Sequence, residues 1–251
     1  MQNSKEIANF FWHGNSLSIY EIGCIKSFIV NDFEVNVWTF NPNLNVPEGA
    51  TICDANKFYS VSDIMTFSQR GKQGCLAAFS DAFRYKVLAE IEGWWFDTDC
   101  LCLRPQEDFK DLYSNRSIIA GYENSRNLIN GAVLRFLDNS LLNTAIKMME
   151  EKLVEKNRHV SWGEIGPKLI TKLVENNNLH SNILPISYFY PIHCKSASDA
   201  INPEKLSYME NKCSTSYVYH CWNEMLSRAG VDKTTMPPSG SFLHKKFKEL
   251  F

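Results

Sequence analysis

Residues 79–104 read Phe79-Ser80-Asp81-Ala82-Phe83-Arg84-Tyr85-Lys86-Val87-Leu88-Ala89-Glu90-Ile91-Glu92-Gly93-Trp94-Trp95-Phe96-Asp97-Thr98-Asp99-Cys100-Leu101-Cys102-Leu103-Arg104, and this stretch decides the fold. Its first half predicts a helix: Ala82, Phe83, Tyr85, Val87, Leu88, Ala89 and Ile91 supply an apolar stripe, and Gly93 is expected to end it in a left-handed cap. Trp94-Trp95-Phe96 then predicts a short buried strand closing on Asp97 and Asp99. Residues i and i+2 of a strand point to one side, so both carboxylates are expected to face the same way at its end. Like charges held that close repel unless a cation neutralises them. A hard divalent ion, Mg²⁺ or Mn²⁺, takes oxygen ligands and keeps positions open for phosphate oxygens.

Asp81-x-x-Arg84, the helix, Gly93, the aromatic strand and Asp97-Thr98-Asp99 resemble the signature of retaining GT-A glycosyltransferases that carry an Asp-x-Asp motif. These are the enzymes related to yeast α-1,6-mannosyltransferases, α-1,4-galactosyltransferases and the catalytic domains of clostridial glucosylating toxins. The likeness is densest over residues 75–104, with weaker echoes from Phe10 to Trp222. It implies an α/β fold, a Rossmann-like GT-A domain over 1–251 with a central, mostly parallel mixed sheet flanked by helices. It also implies a hexosyltransferase that uses a UDP-sugar and Mn²⁺ or Mg²⁺.

Outward from this centre, Ile7–Trp12 predicts a first strand. Ser16 or Ser18 is a candidate cap for a helix carrying Ile19, Ile22, Ile25, Phe28 and Ile29, and Glu34–Phe40 alternates as a second strand. Strand, helix, strand is a right-handed βαβ unit. Ala50–Cys53 predicts a third strand, while residues 54–74 are expected to be irregular, with 69–74 mobile. Ser117–Gly121 and Leu128–Phe136 predict strands, the second kinked at Asn130-Gly131; residues 139–156 predict an amphipathic helix, and Gly166-Pro167 opens another. Ile183–Ile186 and Tyr188–Ile192 are expected as edge segments, and Tyr217–Trp222 as a strand ending in His220 and Trp222.

Carried onto these positions, the resemblance implies that Asp99 binds the metal directly, with Asp97 beside it and His220 completing the metal or diphosphate shell. Asp81 and Arg84, one helical turn apart, are implied at the donor sugar, with Asn130, Gly166 and Pro167 nearby and Glu164 at a sugar hydroxyl. Trp12 is implied beside the base and Trp222 beside the leaving phosphate. For Trp12, a core aromatic is an equal reading; for Asn130, a plain turn; for Glu164, a first-turn glutamate favoured by the helix dipole.

The 251 residues are enough for one large α/β domain, and 44% hydrophobic with 22% charged residues is ordinary globular composition. A formal net charge of −2 gives no basic face for nucleic acid. A polar N-terminus and no long apolar run lead to a cytoplasmic expectation, or the inner face of a membrane, with the eight cysteines reduced. Cys100-x-Cys102 with His220-Cys221 is a remote zinc alternative. The tail over 240–251 is basic and amphipathic, suited either to peripheral docking on an anionic membrane or to packing on the domain. A glycan or lipid-linked glycan acceptor, in capsule or lipopolysaccharide synthesis, is the expected partner. Two rival readings are a haloacid-dehalogenase-like phosphatase using Asp97 and Asp99, and an inactive module that binds nucleotide sugars.

Overall fold

The computed structural model describes residues 5–69, 72–124 and 127–251. The chain runs β1 (Ile7–Trp12), α1 (Ile19–Val30), β2 (Glu34–Thr39), β3 (Ala50–Asp54) and a small hairpin, β4 (Ser68–Gln69) with β5 (Lys72–Gln73). Next come α2 (Leu76–Glu90), β6 (Trp94–Phe96), β7 (Cys100–Cys102), the short α3 (Gln106–Phe109), β8 (Ile118–Tyr122) and β9 (Ile129–Phe136). The remainder is α4 (Asn139–Glu155), α5 (Pro167–Asn176), α6 (Ile186–Phe189), α7 (Leu206–Cys213), β10 (Val218–His220), α8 (Asn223–Arg228) and α9 (Phe242–Lys248).

Six strands form one sheet in the order β3-β2-β1-β6-β9-β8. The first four are parallel, and β9 runs antiparallel between β6 and β8. This is the mostly parallel mixed sheet expected from the sequence. Both faces are covered at the centre, which is why β6 and β9 are buried along their whole length. Phe11 and Trp95 point to the α2, α4 and α5 side, while Phe10, Trp94 and Phe96 point to the side of α1 and α3. Asn9 is buried mid-strand but satisfied: its amide donates to the Trp94 carbonyl (3.1 Å), and its oxygen accepts from the Trp38 indole (3.0 Å).

Gly93 departs from expectation. Helix α2 ends at Ile91 in extended backbone, and Gly93 is not among the residues at positive φ. A Cβ there would lie 2.7 Å from the Ile7 carbonyl oxygen, so close approach of β1 to the chain entering β6 is what requires glycine. Asp97-Thr98-Asp99 is also not strand. The Cys100 amide donates to the Asp97 carbonyl (2.9 Å), folding the motif into a turn between β6 and β7. That turn moves the chain off the main sheet, because β7 pairs antiparallel with β10 in a separate ladder. Ile186–Phe189 is a helical turn rather than an edge strand, although Leu184 does bridge to Gly121 of β8. Of the stretch expected to be mobile over 69–74, Arg70 and Gly71 lie outside the described residues; its flanks form the β4–β5 hairpin.

For the tail, the second of the two alternatives is the one observed. Phe242, Leu243 and Phe247 of α9 are buried against Tyr20, Met209 and Tyr219, and of the tail's apolar residues only Phe251 is largely exposed. Gly23 of α1 makes the seat, since a Cβ there would lie 2.7 Å from the Phe247 ring. Phe247→Ala should therefore cost about 3–5 kcal/mol of stability, measured by denaturant titration, as for other fully buried phenylalanines. No helix among the described residues is long and apolar enough to cross a membrane.

Candidate active site

The sheet changes direction of winding between β1 and β6. The chain leaves β1 through α1 towards β2, while β6 lies on its other side. Open α/β sheets bind ligands in the crevice beyond the carboxyl ends of strands at such a switch point. A cleft of about 320 Å³ lies there, lined by Trp12 at the end of β1 and His13 after it, Asp97, Thr98 and Asp99 after β6, and Glu21, Asn223 and Lys233 from α1 and the C-terminal region.

The two aspartates line one cleft but are held by different partners. Asp97 Oδ1 accepts from the Trp95 indole (2.8 Å) and from Arg84 Nη2 (3.3 Å). Arg84 Nη2 also pairs with Asp81 Oδ1 at 3.0 Å, and the guanidinium lies 5.5 Å from the Trp95 ring centre. One buried cation is thus shared by two carboxylates. Burial pushes the Asp81 carboxyl up to about 6; Arg84 opposes this and Asp97 adds to it. On Arg84, burial acts downward but the Asp97 and Asp81 charges outweigh it, so its value is raised.

Asp99 belongs to the second arm. Its Oδ1 accepts from His220 Nε2 (3.1 Å), and its Oδ2 accepts from the Asn223 backbone N–H (2.9 Å). Burial pushes the Asp99 carboxyl up, but the His220 charge, its hydrogen bond and the Asn223 amide together hold it below its usual value. His220 is raised in turn, the Asp99 charge and hydrogen bond overcoming its burial. His220 lies directly opposite Cys100 in the β10–β7 ladder, so Asp99, Cys100 and His220 offer ligand atoms within 4.8 Å of one another. Cys102 is not part of that group: its thiol meets the Arg104 carbonyl. The Trp222 ring stands edge-on to His220 at 4.1 Å, and its indole donates to the Ile192 carbonyl (2.9 Å). Trp222 has φ of +57°, a left-handed conformation rarely adopted by a bulky residue. Trp12 Nε1, His220 Nδ1 and Asn223 Oδ1 are buried with no hydrogen-bond partner among the described residues. Orphaned polar atoms around one cleft are what a ligand site leaves before its ligand arrives.

Two glycines make the first arm fit. A Cβ on Gly131 would lie 2.1 Å from Arg84 Nη1, and one on Gly166 would lie 2.3 Å from Asp81 Oδ2. Gly131→Ala should displace the guanidinium, costing about 1–3 kcal/mol of stability by overpacking. It should also lower catalytic turnover by roughly 10²-fold, as an ångström-scale misplacement of a site group does. Thermal melts and product assays on the purified variant check both effects.

Residues 139–245 match the model of the alpha 1,4-glycosyltransferase conserved region, which takes in α4, α5 and the His220 segment. No curated protein sequence matches the chain. Among solved structures, the apo bifunctional glycosyltransferase WbbM has a TM-score of 0.50 at 10% identity, over 98% of this chain and 49% of that one. The fold is thus that of a glycosyltransferase, and this chain spans about half of the WbbM chain. The PaToxG glycosyltransferase (TM-score 0.46, 12% identity) covers 98% of this chain and 86% of its own. Mouse xyloside xylosyltransferase 1 (0.46, 11%) covers 86% of this chain and 97% of its own. Residues 139–245 thus resemble a glycosyltransferase region, set in a fold shared with a solved glycosyltransferase.

The expected Asp81, Arg84 and Asp97 come together, as do Asp99, His220 and Trp222, while Trp12 lines the cleft. Pro167 takes the first position of α5, and Gly166 touches Asp81. Of the expected residues, Trp12, Asp97 and Asp99 line the cleft, whereas Asp81, Arg84, Asn130, Glu164, Gly166, Pro167, His220 and Trp222 are not in its lining. Asn130 donates to Glu123 (2.8 Å) and accepts from the Ala132 amide (2.7 Å), one residue from the glycine that seats Arg84. Glu164 accepts from the Ser161 amide (2.7 Å), a local bond typical of a turn before a helix. Glu21, Asn223 and Lys233 were missed by the sequence reading, because they reach the cleft through tertiary packing. Asn223 alone left a trace, following the His-x-Trp pattern directly.

Proposed function

We propose that this protein is a glycosyltransferase that moves a hexose from a UDP-sugar to a glycan hydroxyl, using a divalent cation at Asp99 and His220 with Asp97 beside it. The observation that carries this reading is the position of Asp97-Thr98-Asp99: the motif faces Trp12 and His13 across the crevice at the carboxyl ends of β1 and β6. A carboxylate oxygen and an imidazole nitrogen converging within 3.1 Å, with one imidazole nitrogen orphaned, fit Mn²⁺ or Mg²⁺. When bound, such an ion supplies Lewis-acid stabilisation of the departing diphosphate.

The side chains do the rest. Trp12 offers a ring and an unpaired N–H for the base. Asp81 and Arg84, fixed against Gly166 and Gly131, hold the sugar hydroxyls and set the orientation of the anomeric carbon. Asp97, restrained by Trp95 and Arg84, holds the ribose or sugar hydroxyls on the near side. Resemblance supports retention of configuration: the acceptor hydroxyl attacks the oxocarbenium-like centre from the side the diphosphate leaves, and a donor phosphate oxygen takes the proton. Surface polysaccharide is the acceptor class proposed, on resemblance alone.

Thermal melts with Mn²⁺ and a panel of nucleotide sugars test the proposal. One UDP-hexose should raise the melting temperature only when Mn²⁺ is present; saturation at about a hundred times its Kd would add about 2.7 kcal/mol. The same sugar should then release UDP when acceptor is added. Release of inorganic phosphate would favour the phosphatase alternative. Binding without any turnover across acceptors would favour the inactive module.

A further inference from the structure

We propose that Glu21 is a positioning residue for Asp99, acting through Asn223; the inference rests on the reading of Asp99 as a metal ligand. Glu21 lies in the first turn of α1, which packs against β7; it lines the cleft and is 2% exposed. A buried carboxylate needs every lone pair satisfied, and here its two oxygens serve two separate purposes. Oε2 closes the helix, accepting from the Ser18 amide (3.0 Å) and the Ser18 hydroxyl in a reciprocal capping box. Oε1 has no part in that cap. It accepts from Asn223 Nδ2 (2.7 Å) and Lys233 Nζ (2.7 Å).

Asn223 is the residue whose backbone N–H donates to Asp99 Oδ2. The amide reaches that oxygen only because the chain turns sharply after His220, through Trp222 at φ +57°. A left-handed tryptophan is a strained conformation that persists when its surroundings over-determine it. The Glu21–Asn223 side-chain bond is one such restraint, tying the far side of the turn to α1. The path is thus Glu21 carboxylate, Asn223 side chain, Asn223 backbone, Asp99 carboxylate. It fixes one Asp99 oxygen and leaves the other towards His220. Partners of this kind orient a metal ligand, and their loss weakens metal affinity by about 10–100-fold.

Because the two oxygens do different work, two variants separate the roles. Glu21→Gln keeps size and shape but has only one acceptor oxygen, so either the cap or the Asn223 and Lys233 contacts must fail. Ser18→Ala removes the cap and leaves Oε1 untouched. Mn²⁺ binding to the otherwise unliganded protein, read from loss of the free Mn²⁺ electron paramagnetic resonance signal, is the measurement, with circular dichroism and thermal melts confirming the fold.

Glu21→Gln is expected to raise the Mn²⁺ Kd about tenfold or more. Asn223→Ala should do the same, and the double variant should be no weaker than the worse single one, as for two links of one path. Ser18→Ala should lower the melting temperature while leaving the Mn²⁺ Kd within about twofold. A folded Asn223→Ala protein with wild-type Mn²⁺ affinity would overturn the inference, because it keeps the backbone amide on Asp99 and loses only the link to Glu21, as would a Ser18→Ala protein that loses affinity to the same extent. A wild-type protein that takes up no Mn²⁺ at all would overturn the metal reading of Asp99 itself, and this inference with it.

Discussion

Asp99→Asn should abolish measurable sugar transfer, lowering turnover by at least about 10³-fold, the upper end of what removing one transition-state stabiliser costs. Shape is preserved, so the effect is chemical. The asparagine oxygen still accepts from His220 Nε2 or from the Asn223 amide, whereas the negative charge that would draw a divalent cation is gone. Asp99→Ala is the poorer test. It leaves His220, whose Nε2 is 3.1 Å from Asp99 and whose Nδ1 already lacks a partner, buried without its counter-charge. Breaking a buried pair from one side destabilises by about 3–5 kcal/mol. Lost activity in the alanine variant would therefore mix unfolding with chemistry. The measurements are UDP release at saturating donor and Mn²⁺ titration of the asparagine variant. An Asp99→Asn protein with wild-type turnover would remove Asp99 from the catalytic centre.

The parts of this molecule legible in the sequence are those whose signal is local. The Trp94-Trp95-Phe96 run reads as a strand because both faces of the sheet are covered, and α1, α2, α4 and α5 carry apolar periodicity or caps that nothing downstream overrides. The grouping of Asp81 and Arg84 with Asp97 came from the family resemblance together with the one-turn spacing of the first two, and the three do meet. What failed depended on contacts distant in the chain. Gly93 looked like a helix cap, but β1, more than eighty residues away, decides its role through the Ile7 carbonyl. The two aspartates were expected to face one way, as in a strand. The separate β7–β10 ladder pulls the chain into a turn, so Asp97 goes to Arg84 and Asp99 to His220. Glu21 shows a further limit: in sequence it is an ordinary third helical residue, and only its second oxygen reveals that it reaches Asn223, some two hundred residues away.

Arg84→Met should produce the largest loss of stability at the site, and that loss should depend on pH. Methionine fills most of the arginine's volume beside Trp95, so packing changes little while the shared cation disappears. Asp81, 8% exposed, then has no opposite charge among its contacts with the described residues, and Asp97 remains a like charge. At pH 8 the cost should be about 3–5 kcal/mol, that of a buried charge stripped of its partner. The sign follows from Asp81. Burial already places its folded value at about 6, above the 3.8 of an unperturbed aspartate. A carboxyl raised by folding imposes no penalty below the unfolded value, and takes stability away as pH rises through the folded one. For the wild type, the penalty gained relative to Asp81→Asn between pH 4 and pH 8 should be about 3 kcal/mol, from a shift of about two units. In Arg84→Met the folded value rises further. The difference between that variant and wild type should therefore be small near pH 5, where both proteins hold Asp81 neutral or nearly so, and grow as pH rises. Adding Asp81→Asn to Arg84→Met should return most of the stability at pH 8, because the uncompensated charge is then absent. Denaturant midpoints at pH 5 and pH 8 for wild type, both single variants and the double variant read the whole cycle. A loss in Arg84→Met that stays the same at both pH values, or that Asp81→Asn does not relieve, would mean that Arg84 acts there as packing and not as the counter-charge shared by Asp81 and Asp97.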